Sequence, residues 1–486
     1  MHTKQDMIEW IEEHREAFIE MADRIWEYAE ISHREFKSAR LQAEYLEAQG
    51  FSIQPEPAGL KTAFIAEWGA GKPVIGFIGE YDALEGLSQQ RKPTPEPVQP
   101  GAPGHGCGHN LLGVGCLASA VAIRRWLEST GHPGTVRYYG CPAEENTYGK
   151  TFMARAGVFD DLDAAFNYHP GVVNMPSKSS AVGVNDIKFR FHGRSSHAGA
   201  EPHLGRSALD AIELMNVGVN YLREHVTEKV RIHYAITHGG DLPNVVPPEA
   251  EVWYFIRAHR PEELENVTSR VRQIAEGAAL MTETRMEEVF RSACSAVLSN
   301  HTLADLQYTA MQVVGDLDFS PEEIAFAQRI NDGYPRENVE AFFQRMKEYK
   351  IPAELQALRE QYDGAPLIGI NLPPLDEGEV ETGSTDVGDV SQITPLSMLS
   401  TACFPTGAGG HSWGITAASG SSIGHKGMLH AAKIMAVAAM DCYTDPSHLQ
   451  KALAEFEKAT RDHPYKSPLP VHVQPPRYPE PENDSI

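Results

Sequence analysis

The chain has 486 residues, of which 42% are hydrophobic and 22% are charged, and its formal net charge at pH 7 is -24. This composition is typical of a folded protein with more than one domain and argues against extended disorder. The negative charge argues against nucleic acid and against an anionic membrane surface as partners, because both attract basic proteins. A small-molecule substrate is compatible with it.

The first residues, MHTKQDMIEWIEEHREAF, are acidic and amphipathic and lack the apolar core of a signal peptide. No uninterrupted apolar run is long enough to span a bilayer. Six cysteines are scattered along the chain, which is not the pattern of a disulfide framework. We therefore expect reduced thiols and a cytoplasmic location.

The first part of the chain alternates between helical and extended patterns. Apolar residues recur at three- and four-residue steps from residue 5 to about 49, which predicts helix. A proline-rich loop follows later and leads into GHGCGHN, after which Asn110 is predicted to cap the next helix. The predicted strands are TAFIAEW (62–68), KPVIGFIGEYD (72–82), TVRYYGCP (135–142) and AAFNYHP (164–170). This alternation predicts an α/β layered domain with a largely parallel sheet, in which ligands gather at the carboxyl ends of strands.

Residues 184–297 follow a different order, β-α-β-β-α-β, which is that of a ferredoxin-like α+β unit. We predict that it is a second domain inserted into the first, so that the catalytic domain comprises residues 1–183 and 298–486. Within residues 298–486, residues from about 302 to 380 form a polar helical insertion, for which the sequence predicts no function. The proline-rich tail is expected to wrap the surface or to be disordered.

GHGCGHN, residues 104–110, places two histidines and a cysteine between glycines. Glycine allows backbone conformations that bring short side chains to a common point, and thiolate and imidazole bind zinc, manganese or cobalt. The stretch alone is equally compatible with a cysteine nucleophile and a histidine base, or with a tight turn around a buried histidine.

Further polar side chains follow the predicted strands. CPAEEN presents the adjacent carboxylates Glu144 and Glu145, and such a pair suits one acid that binds metal and a neighbour that takes a proton from water. His169 ends another strand, and His411 lies in a glycine-rich loop after a later one. His425 competes with His411 for the same role. The combination favours a metal site, because a cysteine nucleophile does not need the carboxylates.

Cys-Gly-His-Asn, Pro-Ala-Glu-Glu, the strand-terminal His-Pro and the later Gly-Gly-His resemble, in order and spacing, the dimetal aminoacylase and carboxypeptidase family of amidohydrolases. Longer segments, among them GHGCGHNLLGVG, YYGCPAEEN, GKTFMARAGVFDD and GSTDVGDVS, are similar to the family branch of aminobenzoyl-glutamate hydrolase B-type subunits. The resemblance covers nearly the whole chain, including the 302–380 insertion.

The resemblance implies two divalent metal ions per subunit, manganese or zinc, and an inserted domain that serves as lid and dimerisation unit. It implies Glu144 as the general base and Asp82 as the aspartate that orients a ligand imidazole. His105 would either support one of the ligands through a contact or be structural. The implied metal ligands are Cys107, His109, Glu145, His169 and His411.

The same resemblance assigns substrate contacts to the lid. His197 would steady the oxyanion in the partner subunit's site, Asn244 would lie near the same oxygen, and Arg257 would receive the substrate carboxylate. His203 and Arg206, in PHLGR, are further candidates. Donors and guanidinium groups suit developing negative charge and a carboxylate, respectively.

One position departs from the wider family, because Asn110 stands where many relatives have aspartate after the CGH triplet. A neutral amide removes a charge near the metals and puts metal preference in doubt, although the B-type branch also has asparagine there. The implied function is hydrolysis of the amide between an aromatic acyl group and an amino acid, with p-aminobenzoyl-glutamate as the expected substrate.

Two alternatives stay open. The same centre would also suit an indole-acyl amino acid or an aromatic amine, and the chain would then be an indole-acyl amino acid hydrolase or a deaminase. In the second alternative, the chain is a subunit that is active only with a homologous partner, in a heteromer instead of a homodimer.

Overall fold

The computed structural model describes residues 1–349, 356, 360 and 362–480. The helices are α1 Lys4–Glu13, α2 Arg15–Tyr28, α3 Phe36–Ala48, α4 His109–Thr130, α5 Glu144–Thr147, α6 Gly149–Arg155, α7 Ala208–Leu222, α8 Pro261–Thr282, α9 His301–Val314, α10 Pro321–Asp332, α11 Arg336–Glu348, α12 Val387–Ser391, α13 Trp413–Ser419, α14 Ser422–Thr444 and α15 Pro446–Thr460. The strands are β1 Ser52–Pro55, β2 Phe64–Ala70, β3 Val74–Glu80, β4 Gly134–Cys141, β5 Ala164–Gly171, β6 Met175–Pro176, β7 Ser180–Ala181, β8 Gly183–His192, β9 Arg231–His238, β10 Glu249–Ala258, β11 Arg285–Cys294, β12 Val380–Glu381 and β13 Leu396–Ala402.

The larger sheet has the strand order β1-β2-β4-β3-β5-β13-β6. Its central strands β4, β3, β5 and β13 run parallel, whereas the pairings at the two edges are antiparallel. β3 is buried at every position, as expected for a parallel strand that is covered on both faces. The predicted α/β class with a largely parallel sheet is confirmed.

Two long apolar helices, α4 and α14, pack against each other and against this sheet. Most residues of both are buried, which explains why their sequences are apolar around almost the whole helix and not along one stripe. Together with α1, α2 and α9 they form the largest hydrophobic core of the described chain. This packing holds the strands that contact α4 in place.

The second sheet has the order β11-β8-β10-β9 and is antiparallel. It is built by β8, α7, β9, β10, α8 and β11 in chain order, which confirms the ferredoxin-like unit. Alternate residues of β10 are buried, because one face of this sheet packs on α7 and α8. The boundaries at 183/184 and 297/298 stay predictions.

Helices α9, α10 and α11 lie in the predicted insertion. α10 begins with a capping box in which Ser320 accepts from the Glu323 amide and the Glu323 carboxylate accepts from the Ser320 amide. Most of residues 350–361 fall outside the described residues, so the helical prediction is not tested there.

One local prediction was confirmed only in part and two were wrong. The helical pattern from 5 to about 49 is interrupted by a loop between α2 and α3, which carries Ser32, His33 and Glu35. Asn110 does not cap α4, because the helix begins one residue earlier behind Gly108, and the Asn110 side chain is buried with its amide donating to Ser419 O at 3.1 Å. The predicted loop after His411 contains α13.

The tail beyond α15 has no helix or strand over residues 464–480 and lies against the catalytic domain. Leu469 and Val473 are buried in a hydrophobic cluster, and the Tyr465 hydroxyl donates to Asp389 Oδ1 at 2.8 Å. The prediction that the tail wraps the surface is confirmed over these residues. Within the described part of the chain, no helix combines the length and apolarity that crossing a membrane requires.

Candidate metal centre

Acidic and imidazole side chains meet at the carboxyl edge of the parallel strands. Glu80 is the last residue of β3, Glu144 begins the short helix that follows β4, and His169 lies near the end of β5. His411 lies in the loop that follows β13. Because these strands are neighbours in the sheet, residues far apart in sequence come together.

The CGH turn contributes two further side chains to this edge. Gly108 has φ of +84°, a conformation that side chains disfavour. A Cβ atom there would lie 2.7 Å from Phe404 Cζ and 3.2 Å from Pro170 Cβ. The glycine thus lets the turn approach both walls closely, with Cys107 before it and His109 after it as the first residue of α4.

The five residues predicted as metal ligands form one cluster. The Cys107 Sγ atom lies 3.3 Å from His169 Nε2, and His411 Nε2 lies 3.4 Å from Glu145 Oε2. Donor atoms of Cys107, His109 and His169 all lie within 4.8 Å of one another, as do those of Cys107, Glu145 and His411. Cys107 belongs to both sets, so the geometry is that of two adjoining groups of three.

The histidines of the cluster are oriented by acceptors on their other ring nitrogens. His109 Nδ1 lies 2.9 Å from Asp82 Oδ1, and His169 Nδ1 lies 2.9 Å from the carbonyl of Pro170. Each acceptor fixes the proton on Nδ1 and leaves the Nε2 lone pair directed at the cluster. Asp82 is itself held, since its Oδ2 accepts from Ser32 Oγ at 2.8 Å and from the Glu145 amide at 3.0 Å.

Glu144, the predicted general base, lies beside the cluster. Its Oε2 is 4.0 Å from His109 Nε2, and its side chain is 11% exposed. Donor atoms of Glu80, His109 and Glu144 also lie within 4.8 Å of one another. A substrate carbonyl or a water that reaches the cluster would therefore also be within reach of Glu144.

A buried lysine supports this edge of the sheet through two ion pairs. Lys150 Nζ lies 2.7 Å from Glu80 Oε1 and 2.6 Å from Asp386 Oδ1, and all three side chains are almost completely buried. The two carboxylates raise the pKa of Lys150 well above its ordinary value although burial alone would lower it. Sequence reasoning missed this triad, because Lys150 and Asp386 are separated by more than two hundred residues.

The cluster carries more acidic groups than the cations near it compensate. Burial, followed by the negative charge of Glu80, raises the pKa of Glu144 well above its ordinary value. Burial and the charge of Asp82 raise the pKa of Glu145 to about 7. Burial and the charge of Glu145 also raise the pKa of the Cys107 thiol, and the opposing effect of His109 does not outweigh them.

The donor set fits divalent cations. Among the described residues, His109 Nε2 and Glu145 Oε1 are buried without a hydrogen-bond partner, although buried polar atoms are usually paired. Imidazole, thiol and carboxylate are the ligands of zinc and related metals, and positive charge in this position would offset the surplus of buried acids. A metal-binding role accounts for both observations.

The loop between α2 and α3 braces the turn that carries Glu144. Glu35 Oε1 accepts from the Ala143 amide at 2.9 Å, and its Oε2 accepts from Thr62 Oγ1 at 2.8 Å. Ala143 has φ of +62°, a strained conformation for a residue with a side chain. His33 Nε2 contacts Thr147 Oγ1 at the other end of the turn. Sequence reasoning missed this brace because the segment resembles helix.

Two predicted lid residues lie next to each other in the second domain. The backbone amide of Ala198, which follows His197, donates to Asn244 O at 2.9 Å. His197 is exposed, and its Nδ1 accepts from the amides of Gly199 and Ala200. Among the described residues, these contacts stay within the lid and do not reach the metal-ligand cluster.

The other predicted substrate residues are divided between two places. Arg257 is half-buried, donates from Nη1 to Thr382 O at 3.0 Å, and lies close enough to Tyr148 to lower the pKa that burial raises there. Its guanidinium lies 5.7 Å from the centroid of the Phe255 ring, and Phe255 packs in the same cluster as Tyr148, which directly follows helix α5. Arg206 instead pairs with Glu283 at 2.9 Å on the lid surface, where His203 is also exposed.

The remaining histidines lie apart from the cluster. His105 is buried and its Nε2 lies 3.0 Å from Ile25 O, which fits the structural role expected of it. His425 Nε2 lies 3.0 Å from Asp23 Oδ1, a contact that belongs to the packing of α14 against α2. The geometry therefore places His411, and not His425, beside Cys107 and Glu145.

Comparison with known proteins places the chain in a family. Residues 180–282 match the model of a peptidase dimerisation domain, M20_dimer. The chain is 43% identical over 482 residues to the B subunit of p-aminobenzoyl-glutamate hydrolase from Escherichia coli, a match that covers 96% of this chain and 97% of that protein. It is 30% identical over 345 residues to the Xaa-Arg dipeptidase of Mus musculus, covering 65% and 76%.

Among solved structures, the YXEP protein of Bacillus subtilis, described as a dinuclear metal binding peptidase of the M20 family, has a TM-score of 0.55 at 18% identity. The superposition covers 89% of this chain and 99% of that one, and shows a common fold. With the near full-length match to the Escherichia coli protein, the assignment is plain. The chain belongs to the M20 family of metal-dependent hydrolases, in the branch that contains the p-aminobenzoyl-glutamate hydrolase B subunit.

Proposed function

We propose that this protein hydrolyses the amide bond between an aromatic acyl group and an amino acid, with p-aminobenzoyl-glutamate as substrate and p-aminobenzoate and glutamate as products. The observation that carries the proposal is the buried cluster of thiol, imidazole and carboxylate donors with Glu144 at its side. The identity of 43% to a p-aminobenzoyl-glutamate hydrolase subunit supports the substrate.

Two divalent cations would be held by the predicted ligands Cys107, His109, Glu145, His169 and His411. When bound, such ions polarise a carbonyl and increase the acidity of water. Manganese and zinc are both compatible with a set that mixes one thiol, three imidazoles and one carboxylate. The sharing of Cys107 between the two groups of three supports two adjacent ions.

Glu144 is the proposed general base. Its carboxylate would take a proton from the attacking water and deliver it to the nitrogen of the leaving amino acid. Its raised pKa suits this exchange, because a more basic carboxylate accepts a proton more readily and still releases it to an amine. Glu35 and Asp82 hold the turn from both sides and so fix the carboxylate relative to His109.

Arg257 is proposed to receive the carboxylate of the amino acid. Its position supports this assignment, since the guanidinium packs beside Phe255 and so near Tyr148 and the helix that carries Glu144, although Arg257 belongs to the lid sheet. A guanidinium fork binds a carboxylate through two parallel hydrogen bonds. It also supplies positive charge that an enzyme of net charge -24 needs for an anionic substrate.

His197 and Asn244 are proposed to act on the substrate oxygen across a homodimer. Within one chain their contacts remain in the lid, which supports a role that requires a second subunit or a lid movement. The match to a dimerisation domain supports the same conclusion. His203 and Arg206 are proposed only as outlying substrate contacts, because Arg206 is occupied by Glu283.

A second candidate is a subunit that works only with a homologous chain. It is favoured by the Escherichia coli relative, whose name makes it one of the subunits of its enzyme. A complete ligand set with Glu144 favours the self-sufficient enzyme instead, because a chain freed from catalysis would retain these residues for no chemical reason.

The free cysteines support a reducing compartment such as the cytoplasm.

Turnover of p-aminobenzoyl-glutamate by the purified chain alone tests the proposal. The chain is assayed after chelation and again after addition of manganese or zinc, with Glu144→Ala in parallel. Activity that metal restores and that the variant lacks supports a self-sufficient hydrolase. Activity that returns only when a homologous chain is added supports the second candidate, and metal binding without cleavage in either case excludes the substrate.

A further inference from the structure

A cavity of about 630 Å³ opens beside the metal-ligand cluster. Cys107 and His169 line it, so a group that fills it lies next to two of the proposed metal ligands. Its volume is within the range of sites for small organic ligands. Pro170, Phe404 and Ile415 make the adjoining walls apolar.

The outer wall of this cavity belongs to the insertion. Ala341, Phe342 and Arg345 on α11 line it, and their spacing places them on one face of the helix. α11 approaches closely because Gly407 faces it, where a Cβ atom would lie 2.7 Å from Val339 Cγ2. The insertion, for which the sequence predicts no function, therefore closes the site.

The insertion also holds the loop that carries His411. Asn331 Oδ1 accepts from the Gly407 amide at 2.8 Å, before the histidine in sequence. After it, the Tyr334 hydroxyl donates to Ser412 Oγ at 2.8 Å, and the Tyr334 ring stacks on Trp413 with 5.2 Å between centroids. These contacts fix the cavity wall and the proposed ligand in a single arrangement.

We propose that this cavity is the binding site of the acyl group and that Phe342, Ala341 and Arg345 of the insertion select a planar aromatic acyl group. The inference rests on the proposed function, which assigns the carboxylate end of the substrate to Arg257 in the other sheet. Arg257 does not line this cavity, so the acyl group can extend from Cys107 and His169 into it.

The walls account for an aromatic preference. Phe342 and Phe404 offer ring faces and edges to a flat apolar group, whereas a small acyl group such as acetyl would leave most of the volume unfilled. Arg345, one turn beyond Phe342, brings a guanidinium that attracts the electron-rich face of an aminobenzoyl ring.

The test compares kcat/KM for p-aminobenzoyl-glutamate and N-acetyl-glutamate. We expect Phe342→Ala to lower the ratio of the two values about tenfold, because only the aromatic substrate loses the wall. Ala341→Trp, which fills the cavity without removing a core side chain, should lower the ratio similarly. Gln344→Ala is the matched control, since Gln344 is exposed on the same helix and does not line the cavity.

Equal loss for both substrates, or an unchanged ratio in both variants, overturns the inference. If the wild-type chain cleaves neither substrate, the proposed function fails, and binding of p-aminobenzoate measured by calorimetry then decides. A dissociation constant that rises about tenfold in Phe342→Ala and Ala341→Trp but not in Gln344→Ala supports the acyl site. A dissociation constant that is the same in all chains refutes it.

Discussion

The strands β3 and β9 belong to the two sheets and differ in almost every respect. β3 is buried at all positions, between two parallel partners, and ends at Glu80 beside the metal-ligand cluster. β9 is an edge strand that pairs with β10 alone, and it is exposed at every position except Ile232. β3 is thus enclosed within a single chain, whereas β9 leaves one edge of its sheet unpaired among the described residues, as β1 does in the larger sheet.

The apolar side chains of β9 and α7 sharpen this contrast. Tyr234 and Ile236 on β9 are 38% and 46% exposed, and Val217 and Tyr221 on α7 are 52% and 65% exposed. A surface with this many large apolar groups is typical of an interface. The metal-ligand cluster thus lies at the larger sheet, and this exposed apolar surface lies at the other sheet.

The largest effect is expected at the catalytic edge itself. Glu144→Gln should lower kcat roughly a thousandfold, because the amide cannot accept the proton of the attacking water. Bound metal, measured by elemental analysis, should stay at the wild-type level, since Glu144 is not one of the five proposed ligands. Glu457→Gln, at an exposed position of α15, is the control. A variant that loses metal together with activity would instead make Glu144 a ligand.

The next largest effect is expected at the buried triad of Lys150, Glu80 and Asp386. Lys150→Met should destabilise the fold by about 3–5 kcal/mol, because it leaves the carboxylates of Glu80 and Asp386 buried without a cation. Denaturant unfolding of the metal-free chain measures this change. Adding Glu80→Gln and Asp386→Asn should recover part of the loss. If the triple variant is no more stable than Lys150→Met, charge compensation is not the role of the lysine.

A third prediction addresses the lid edge. Ile236→Asp should weaken self-association at least about tenfold, because it places a charge in a predicted interface. The thermal unfolding of the chain should change little, since this side chain is exposed in a single chain. Analytical ultracentrifugation measures the dimer, and Glu457→Gln, at an exposed position of α15 outside the second domain, serves as control.

The activity of mixed dimers then tests the contribution of the partner. If His197 acts across the dimer, mixing inactive His197→Ala with inactive Glu144→Ala should restore measurable turnover, because one site of each mixed dimer is intact. A mixture that stays inactive would show that His197 serves its own chain or none.

The smallest effect is expected at Glu35, which braces the turn that carries Glu144. Burial and the charge of Asp82 raise the pKa of Glu35 to about 8, whereas its ordinary value is 4.5. The folded chain thus keeps this proton while the unfolded chain releases it, so this group makes stability fall as the pH rises from about 4.5 to 8. Thermal unfolding of Glu35→Gln should show a shallower decline over this range.

A second variant separates the proton from the hydrogen bond. Glu35→Leu should be less stable than Glu35→Gln by about 1–3 kcal/mol at any pH, because it leaves the Ala143 amide without its acceptor. If the two variants have equal stability, the brace does not hold the strained turn.

Much of the catalytic edge was predictable because it depends on short motifs at strand ends. Glu144 and Glu145 follow a strand whose apolar pattern is clear, His169 lies near the end of another, and parallel strands bring their carboxyl ends together. The order of elements likewise predicted the ferredoxin-like sheet. The dimetal set and the roles of the lid residues came from the family resemblance and not from patterning.

The supporting contacts were not predictable, because they join segments that have no local signal. Glu35 and Ala143 are more than a hundred residues apart, and the loop that carries Glu35 lies inside a continuous helical pattern. Lys150 lies in an apolar helix where a lysine is normally expected at the surface. Asn110 resembled a cap residue, but the freedom of Gly108 to adopt positive φ allowed the helix to begin earlier.

The contacts between the insertion and the loop around His411 have a kinetic consequence. His411 adopts a positive φ and its side chain is 57% exposed, so among the proposed ligands it is the one that faces solvent most openly. A cation that leaves the site must first lose such an outer ligand, and Asn331 and Tyr334 restrain the backbone on both sides of it. We therefore expect the rate at which the enzyme exchanges its metal with the medium to be set by opening of the insertion around His411.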